Sequence, residues 1–280
     1  MALRWSGIRT RPRQFLIILA GGLMVAALSA FRMHQALADE ALEVDTALIL
    51  AVDVSNSVDE GRYRLQMEGI ALAIEDEAVV TAITAGTKGA ILLSLVEWAD
   101  KAEMTIDWHL VRNVEDARAF AGKVRSLPHR MGEYTCLSRM MDIVKETIID
   151  RIPASATRVV LDVSGDGIDN CAVPSASDVM RDELIASNIT INGLPIIVEG
   201  ENDLVGAGAY RAPGFGFHEL LGNGNEPATT LDKWFREHVI GGPAAFLHTA
   251  QGYEDFGRAF RQKFVTEISA IETRTAMPAE

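Results

Sequence analysis

The sequence predicts an α/β fold in which a doubly wound, mostly parallel β-sheet is flanked by helices on both faces. Apolar, strand-like runs alternate along the chain with longer helical patterns, which is typical of βαβ units. Strands with such apolar runs are expected to be buried on both faces of a parallel sheet. The second and third runs are separated only by residues 99–104. Because a parallel crossover needs about a dozen residues, this short connection predicts a hairpin and one antiparallel edge strand.

Six strands and six helices follow from these patterns in chain order. Runs with strand character cover residues 46–52, 89–98, 105–110, 158–164, 190–197 and 244–249. Helical patterns lie between or after them, at 59–85, 114–127, 137–149, 175–187, 231–239 and 253–271. The pattern weakens between 199 and 230, where glycines are frequent. We interpret this long connection as functional or mobile, with room for a short helix at 218–221.

The first 38 residues have the pattern of a signal peptide. Four arginines precede an apolar stretch at 15–28, and the small residues around Ala36 and Ala38 predict cleavage after Ala38. The alternative is a retained membrane anchor, but the apolar stretch is shorter than the roughly 20 residues of a spanning helix. The arginines form no adjacent pair before this stretch, which favours the general secretory route. Cleavage would leave residues 39–280 as one domain without a stable membrane span, in the periplasm or secreted.

The chain is strongly acidic. The whole sequence has a net charge of −13, from 26 basic and 39 acidic residues. Removal of the signal peptide, which carries five arginines and no acids, would change the net charge to −18. Such a chain is a poor candidate for binding nucleic acid, because the phosphate backbone attracts basic surfaces. Solubility is the simpler meaning of the acidic charge.

The two cysteines of the sequence are Cys136 and Cys171. In an exported protein, an even number of cysteines favours a disulfide, with two free buried thiols as the alternative. A disulfide would hold the segment around Thr135 beside the segment around Asp166.

A cluster of hard oxygen ligands is predicted at the carboxyl edge of the sheet. Asp53, Ser55 and Ser57 directly follow the apolar run at 48–52, where open α/β sheets place their ligands. Asp166 follows the strand at 158–164, and Thr135 lies between the two in a turn that opens a helix. Carboxylate and hydroxyl oxygens suit Mg²⁺ or Mn²⁺.

Each of these residues also has a simpler structural interpretation. Ser57 could cap the following helix in a capping box with Glu60, and Thr135 could be the N-cap of its own helix. Ser55 could be a turn hydroxyl, and Asp53 could be satisfied by backbone amides. Asp166 and the nearby Asp169 could both be turn formers. The convergence of three loops at one edge of the sheet favours the metal site.

These residues resemble a known family. The segments Asp53-Val54-Ser55-Asn56-Ser57 and Ser164-Gly165-Asp166-Gly167, together with Thr135, are similar to the metal-ion-dependent adhesion site (MIDAS) of the von Willebrand factor A superfamily. The resemblance implies that one divalent cation is held by Asp53, Ser55, Ser57, Thr135 and Asp166. One departure is Gly165, which is inserted before Asp166 where many relatives have Ser-Asp-Gly. The stretch at 239–246 and the signal peptide further resemble an exported, mostly uncharacterised bacterial branch.

The resemblance and the ligand chemistry favour binding over catalysis. Neutral hydroxyl ligands leave the cation electrophilic, so that it can accept a carboxylate from a protein partner. The partner itself is not identified by the sequence, and the segment at 199–230 is a candidate recognition rim. A scaffold with a purely structural cation is the main alternative, because a disulfide between the cysteines would reinforce the same loops.

Common catalytic patterns are absent from the sequence. Ser55 stands where an aspartyl phosphatase would carry its second acid, and the sequence has no Gly-x-x-x-x-Gly-Lys-Ser/Thr loop. Asp162 replaces the first glycine of a Gly-x-Ser-x-Gly pattern at Ser164. No His-Glu-x-x-His spacing indicates a zinc protease. We therefore expect a non-enzymatic module, with a metal-dependent hydrolase as the less favoured alternative.

Overall fold

The computed structural model describes residues 42–173, 175–206 and 228–275, with side chains as far as residue 268. Its strands are β1 (Glu43–Asp53), β2 (Ile91–Trp98), β3 (Ala102–Val111), β4 (Ser155–Gly165), β5 (Ile189–Ile197), β6 (Leu204–Val205), β7 (Thr229–Thr230) and β8 (Ala250–Gln251). Six of them form one sheet in the order β3-β2-β1-β4-β5-β8, and β6 pairs with β7 separately.

The sheet has the predicted mostly parallel topology. Strand β1 is parallel to both β2 and β4, and β4 is parallel to β5. Strand β3 pairs with β2 in the antiparallel direction, which confirms the predicted edge strand. In the register of β1 and β4, Val52 lies opposite Ser164. The carboxyl ends of these two central strands therefore meet at the same edge of the sheet.

Seven helices of the described chain flank this sheet. They are α1 (Glu60–Glu75), α2 (Glu77–Ala85), α3 (Val114–Ser126), α4 (Leu137–Ile143), α5 (Ala176–Ala186), α6 (Leu231–His238) and α7 (Phe256–Thr275). Helix α4 continues into a π-helical turn (Val144–Ile148) and a 3₁₀ turn (Ile149–Arg151). None of the helices in the described part of the chain has the length and apolarity needed to cross a membrane.

Alternate side chains of β1 enter two separate hydrophobic cores. Leu48, Leu50 and Val52 pack in the core formed with α1, α2, α3 and α7. Ile49 and Ala51 pack in the core formed with α4, α5 and α6. This two-sided burial follows from the alternation of side chains along a strand and explains why residues 47–52 of β1 are all apolar. The predicted doubly wound α/β fold is confirmed.

The predicted helix at 59–85 is two helices, with the break at Asp76. The backbone amide of Asp76 donates to Ala73 O at 3.3 Å as α1 ends. Its carboxylate then accepts a 2.9 Å hydrogen bond from the amide of Ala78 and caps α2. One aspartate thus ends one helix and begins the next, and it does so without the glycine or proline that would have marked the break in the sequence.

The predicted strand at 244–249 is wrong, since the ladder with β5 is formed only by Ala250–Gln251. Residues 241–249 run along β5 with isolated contacts, such as the two reciprocal hydrogen bonds between Gly241 and Ile191. Gly242 and Ala244 have φ angles of 91° and 59°, which a continuous strand cannot contain. The predicted signal peptide and the predicted helix at 218–221 lie outside the described residues.

A cluster of charged side chains is buried between the sheet and α7. Lys263 lies 2.5 Å from Asp162 of β4 and 2.6 Å from Glu267, and all three are almost completely buried. Asn192 of β5 donates a 2.7 Å hydrogen bond to Glu267. Burial, and then the charge of Glu267, raise the pKa of Asp162 to about 7. Asp162 and Glu267 thus share the single positive charge of Lys263. This arrangement favours the protonated, neutral form of one of the two acids.

Candidate metal centre

Asp53 is the last residue of β1 and begins the predicted cluster. It is fully buried, and its Oδ1 accepts a 2.8 Å hydrogen bond from the backbone amide of Ser55. The chain then turns, since Val58 N donates to Ser55 O at 2.9 Å. This turn brings the hydroxyls of Ser55 and Ser57 to 3.1 Å from each other. The first three predicted ligands therefore lie together at the end of the strand.

Asp166 joins this group from the neighbouring strand β4. The hydroxyl of Ser57 donates a 2.6 Å hydrogen bond to Asp166 Oδ1. The inserted Gly165 thus does not displace the acid from the cluster. Burial, and then the charge of Asp166, raise the pKa of Asp53 from 3.8 to about 8. Two buried carboxylates so close together favour either a bound proton or a bound cation.

Thr135 lies in the loop that packs against the turn after Asp166. A Cβ on Gly167 would lie 3.3 Å from Thr135 Oγ1, so the threonine hydroxyl faces that turn. The amide of Thr135 donates to Asn170 Oδ1 at 2.9 Å, and the amide of Asn170 donates to Thr135 O at 3.0 Å. The structure therefore holds the third predicted loop beside the other two.

The predicted disulfide between Cys136 and Cys171 is present, with the two Cα atoms 5.0 Å apart. It ties the residue after Thr135 to the loop that follows Asp166. The expectation that the bridge would hold these two segments together is confirmed.

Neither Ser57 nor Thr135 is the N-cap of the helix that follows it. The N-cap of α1 is Asp59, whose carboxylate accepts from Arg62 N at 2.8 Å, so Ser57 is not the cap. The N-cap of α4 is Cys136 rather than Thr135. Asp169 does have a structural role, since it accepts hydrogen bonds from Ser138 N at 2.7 Å and from Ser177 Oγ at 3.1 Å.

One carboxylate oxygen of the cluster has an unusual environment. Oδ2 of Asp53 is buried and has no hydrogen-bond partner within the described residues. A buried carboxylate oxygen without a partner is costly, and a divalent cation would satisfy it. No group of three or more His, Cys, Asp or Glu side chains in the described ranges is placed to hold a metal. Hydroxyl oxygens are therefore needed to complete a ligand shell here, and this donor set fits a hard cation.

Gly165 leaves the space that this oxygen faces. A Cβ at this position would lie 3.0 Å from Asp53 Oδ2 and 3.2 Å from Cζ2 of Trp98. Glycine is thus favoured, because a side chain here would have to displace Asp53 or Trp98 by a few tenths of an ångström. Gly165, the inserted residue that departs from the family pattern, therefore lies within the site.

Three residues that the sequence did not single out hold Asp166 in place. The hydroxyl of Tyr253 donates to Asp166 Oδ2 at 2.8 Å, and Asn202 Nδ2 donates to Asp166 O at 2.6 Å. Burial raises the pKa of Asp166, and the hydrogen bonds from Ser57 and Tyr253 together with the charge of Arg62 oppose this rise. The guanidinium of Arg62 lies 5.1 Å from the ring centroid of Tyr253. Asn202 follows the end of β5, so its position in the sequence could have indicated a residue near the site. No local sequence pattern indicates that Tyr253 contacts Asp166.

The fold is similar to that of several solved structures. The proximal thread matrix protein 1 from the mussel byssus matches with a TM-score of 0.52 at 10% identity, over 83% of this chain and 49% of that chain. A von Willebrand factor type A protein from Catenulispora acidiphila matches with a TM-score of 0.51 at 14% identity, over 80% of this chain and 43% of that chain. Another structure of the mussel protein, described as having a zinc-occupied MIDAS motif, matches with a TM-score of 0.50 at 12% identity, over 83% of this chain and 49% of that chain.

These similarities show a von Willebrand factor A fold. The chain spans about half the length of the solved proteins that it matches. A family model described as "Protein of unknown function (DUF1194)" matches residues 43–272. No curated protein matches the sequence.

Proposed function

The chain belongs to the DUF1194 family of proteins of unknown function and has a von Willebrand factor A fold, and we propose that it is a cation-dependent protein-binding module of the bacterial cell envelope. The module would hold Mg²⁺ or Mn²⁺ and recognise an acidic protein partner through the ion. The observation that carries this proposal is the buried, unpartnered Oδ2 of Asp53 beside the carboxylate and hydroxyl oxygens of its neighbours.

In this proposal Asp53, Ser55, Ser57, Thr135 and Asp166 would hold the cation. When bound, the ion would supply an electrophilic position that accepts a carboxylate oxygen. Its charge would also offset the burial of Asp53 and the repulsion from Asp166, which in that order raise the pKa of Asp53. The solved relative with a zinc-occupied MIDAS motif supports a divalent metal at such a site.

The surroundings of Ser164 support binding over covalent catalysis. This serine is buried, and its hydroxyl donates to Ala51 O at 3.3 Å inside the sheet. A nucleophile needs access to a substrate and a neighbouring base, and this hydroxyl has an inward backbone acceptor instead.

Residues 1–38 act as the signal peptide in this proposal and direct residues 39–280 to the periplasm or the exterior. The disulfide between Cys136 and Cys171 supports an oxidising compartment.

A structural cation is the second candidate function, because the disulfide already joins two loops that the cation would also join. The two candidates differ in whether the ion has a position open to a partner. Cross-linking in the bacterial envelope, with and without a chelator, separates them. A partner that is lost with the chelator supports binding through the ion, and a partner that is retained supports the structural cation.

The cation site is tested by calorimetric titration of Mg²⁺ and Mn²⁺ into the processed protein, expressed from the full-length sequence. We expect one binding event that is lost in Asp53→Asn and in Asp166→Asn, with both variants folded. Asp107→Asn, which removes an exposed acid from β3, is the matched control and should bind as the wild type does. Absence of binding in the wild type, or binding retained in both site variants, would overturn the proposal.

A further inference from the structure

Arg62 lies beside the proposed metal site with its guanidinium in three contacts. Nη1 donates to Ser57 O at 3.0 Å, and the guanidinium lies 5.1 Å from the ring centroid of Tyr253. Nη2 donates to both carboxylate oxygens of Glu201, at 2.7 and 2.9 Å. Ser57 and Tyr253 both also donate to the carboxylate of Asp166. A positive charge is thus fixed close to Asp166, where it opposes the rise of the pKa of that carboxylate.

Two of these three contacts are made by residues that also hydrogen-bond to Asp166 in the proposed metal site. Ser57 belongs to the ligand turn, and Tyr253 is buried at the approach to α7. These contacts would keep the guanidinium in place without Glu201. Glu201 belongs instead to the connection that follows β5. The carboxylate is therefore the exchangeable member of the group.

The ion pair between Arg62 and Glu201 is open to solvent. The side chain of Arg62 is 22% exposed and that of Glu201 is 29% exposed. Both charges are therefore partly desolvated, but each keeps a face that a carboxylate from solvent can reach. An external carboxylate could therefore replace Glu201, because Nη2 of the guanidinium would donate to its two oxygens as it donates to those of Glu201.

We propose that Arg62 is a second anchor for the acidic partner and that Glu201 occupies this anchor as an internal competitor until the partner displaces it. This inference rests on the proposed function, in which the cation accepts the first carboxylate. It adds that the partner presents at least two carboxylates, as an acidic peptide segment does. A partner with a single acid would satisfy the ion and leave the pair of Arg62 and Glu201 intact.

The test uses a fluorescein-labelled hexaglutamate peptide, with labelled hexaglutamine as the uncharged comparison. Binding is measured by fluorescence anisotropy with the Mg²⁺-loaded protein at physiological salt, which screens the negative charge of the chain. We expect Glu201→Gln to bind hexaglutamate up to about fivefold more tightly than the wild type, since a competing pair of about 1 kcal/mol is removed. The double variant Arg62→Gln/Glu201→Gln should lose this gain.

Glu199→Gln is the matched control, because it removes the same charge from an exposed position two residues away. A similar gain in Glu199→Gln and Glu201→Gln would show a general charge effect and overturn the inference. Absence of peptide binding in all variants, or a gain that persists without Arg62, would also overturn it. Binding of Mg²⁺ alone is measured in a separate titration. Loss of Mg²⁺ binding would contradict the proposed metal site, whereas normal Mg²⁺ binding without the expected peptide effects would contradict only the role of Arg62.

Discussion

Tyr253 and Asp166, 87 residues apart in sequence, are joined by a 2.8 Å hydrogen bond from the phenolic hydroxyl to Oδ2 of the buried carboxylate. Because Ser57 donates to Oδ1 at 2.6 Å, both oxygens of Asp166 are held in fixed directions. The bond also connects the proposed metal site to the segment that leads into α7. A hydroxyl that orients a metal ligand is expected to affect affinity almost as a ligand does.

We expect Tyr253→Phe to weaken Mg²⁺ binding by about tenfold, because Asp166 loses one of its two orienting donors while the ring packing remains. Titration calorimetry gives the affinity, and thermal unfolding of the metal-free protein gives the stability. The matched control is Tyr63→Phe, which removes a buried hydroxyl that donates to Glu97 at 2.6 Å instead of to Asp166. Equal losses of affinity in both variants would contradict the positioning role of Tyr253.

Gly165→Ala should destabilise the protein by about 1–3 kcal/mol and reduce Mg²⁺ affinity, because the new methyl group would lie 3.0 Å from Asp53 Oδ2. Urea unfolding and calorimetry measure the two effects. Gly122→Ala is the control, since no atom within 4 Å would meet its Cβ on helix α3. That change should stabilise the protein by about 0.4–1 kcal/mol. An unaltered affinity in Gly165→Ala would show that the cation does not use this space.

Asp162→Asn should remove part of the dependence of stability on pH. The pKa of Asp162 is raised to about 7, so the folded state binds its proton more tightly than the unfolded chain does. The contribution of this group is therefore largest below about pH 4 and falls as the pH rises to about 7. In Asp162→Asn, Glu267 remains as the partner of Lys263.

The free energy of unfolding of this variant, relative to the wild type, should rise by about 2 kcal/mol between pH 5 and 7. Urea unfolding in the presence of a chelator measures this difference. The exposed Asp107→Asn variant should show a flat difference over the same range. A flat difference for Asp162→Asn as well would mean that this acid is already ionised at about pH 5.

Loss of the disulfide in Cys136→Ser/Cys171→Ser should lower the free energy of unfolding by about 2–4 kcal/mol, because the bridge closes a loop across a sequence separation of 35. Chemical unfolding under oxidising conditions measures the change. We also expect weaker Mg²⁺ binding. Without the disulfide, Thr135 would be held beside the loop after Asp166 by the two hydrogen bonds with Asn170. The wild type measured in reductant should behave as the double variant does.

The fold was largely predictable from the sequence because its central strands are buried on both faces. Leu48 and Ile49 enter opposite cores, so the middle of β1, residues 47–52, is entirely apolar and was easily recognised. The break at Asp76 was not predictable, because an aspartate between two glutamates continues the polar side of a helical pattern. The prediction of a strand at 244–249 was wrong. Its apolar composition is typical of a strand and does not indicate the positive φ of Ala244.

The candidate site was predictable where its residues follow strands directly, or, for Thr135, where a turn opens a helix. Asp53 and Asp166 stand at strand ends, which is a signal that can be read along the sequence. Tyr253 and Arg62 reach the site from distant segments through tertiary packing. Their roles depend on which groups face Asp166, and no local pattern encodes that relationship.

The irregular backbone at 241–249 has a consequence for the behaviour of the protein at high concentration. It runs along β5, where a regular strand would have left a long row of free amides and carbonyls, so it is a poorer template for the addition of a second sheet. The other border of the described sheet is β3, whose Glu103 and Asp107 side chains are 67% and 69% exposed. Charges at that border oppose edge-to-edge aggregation, so both borders of the described sheet limit the pairing of one copy of the chain with another.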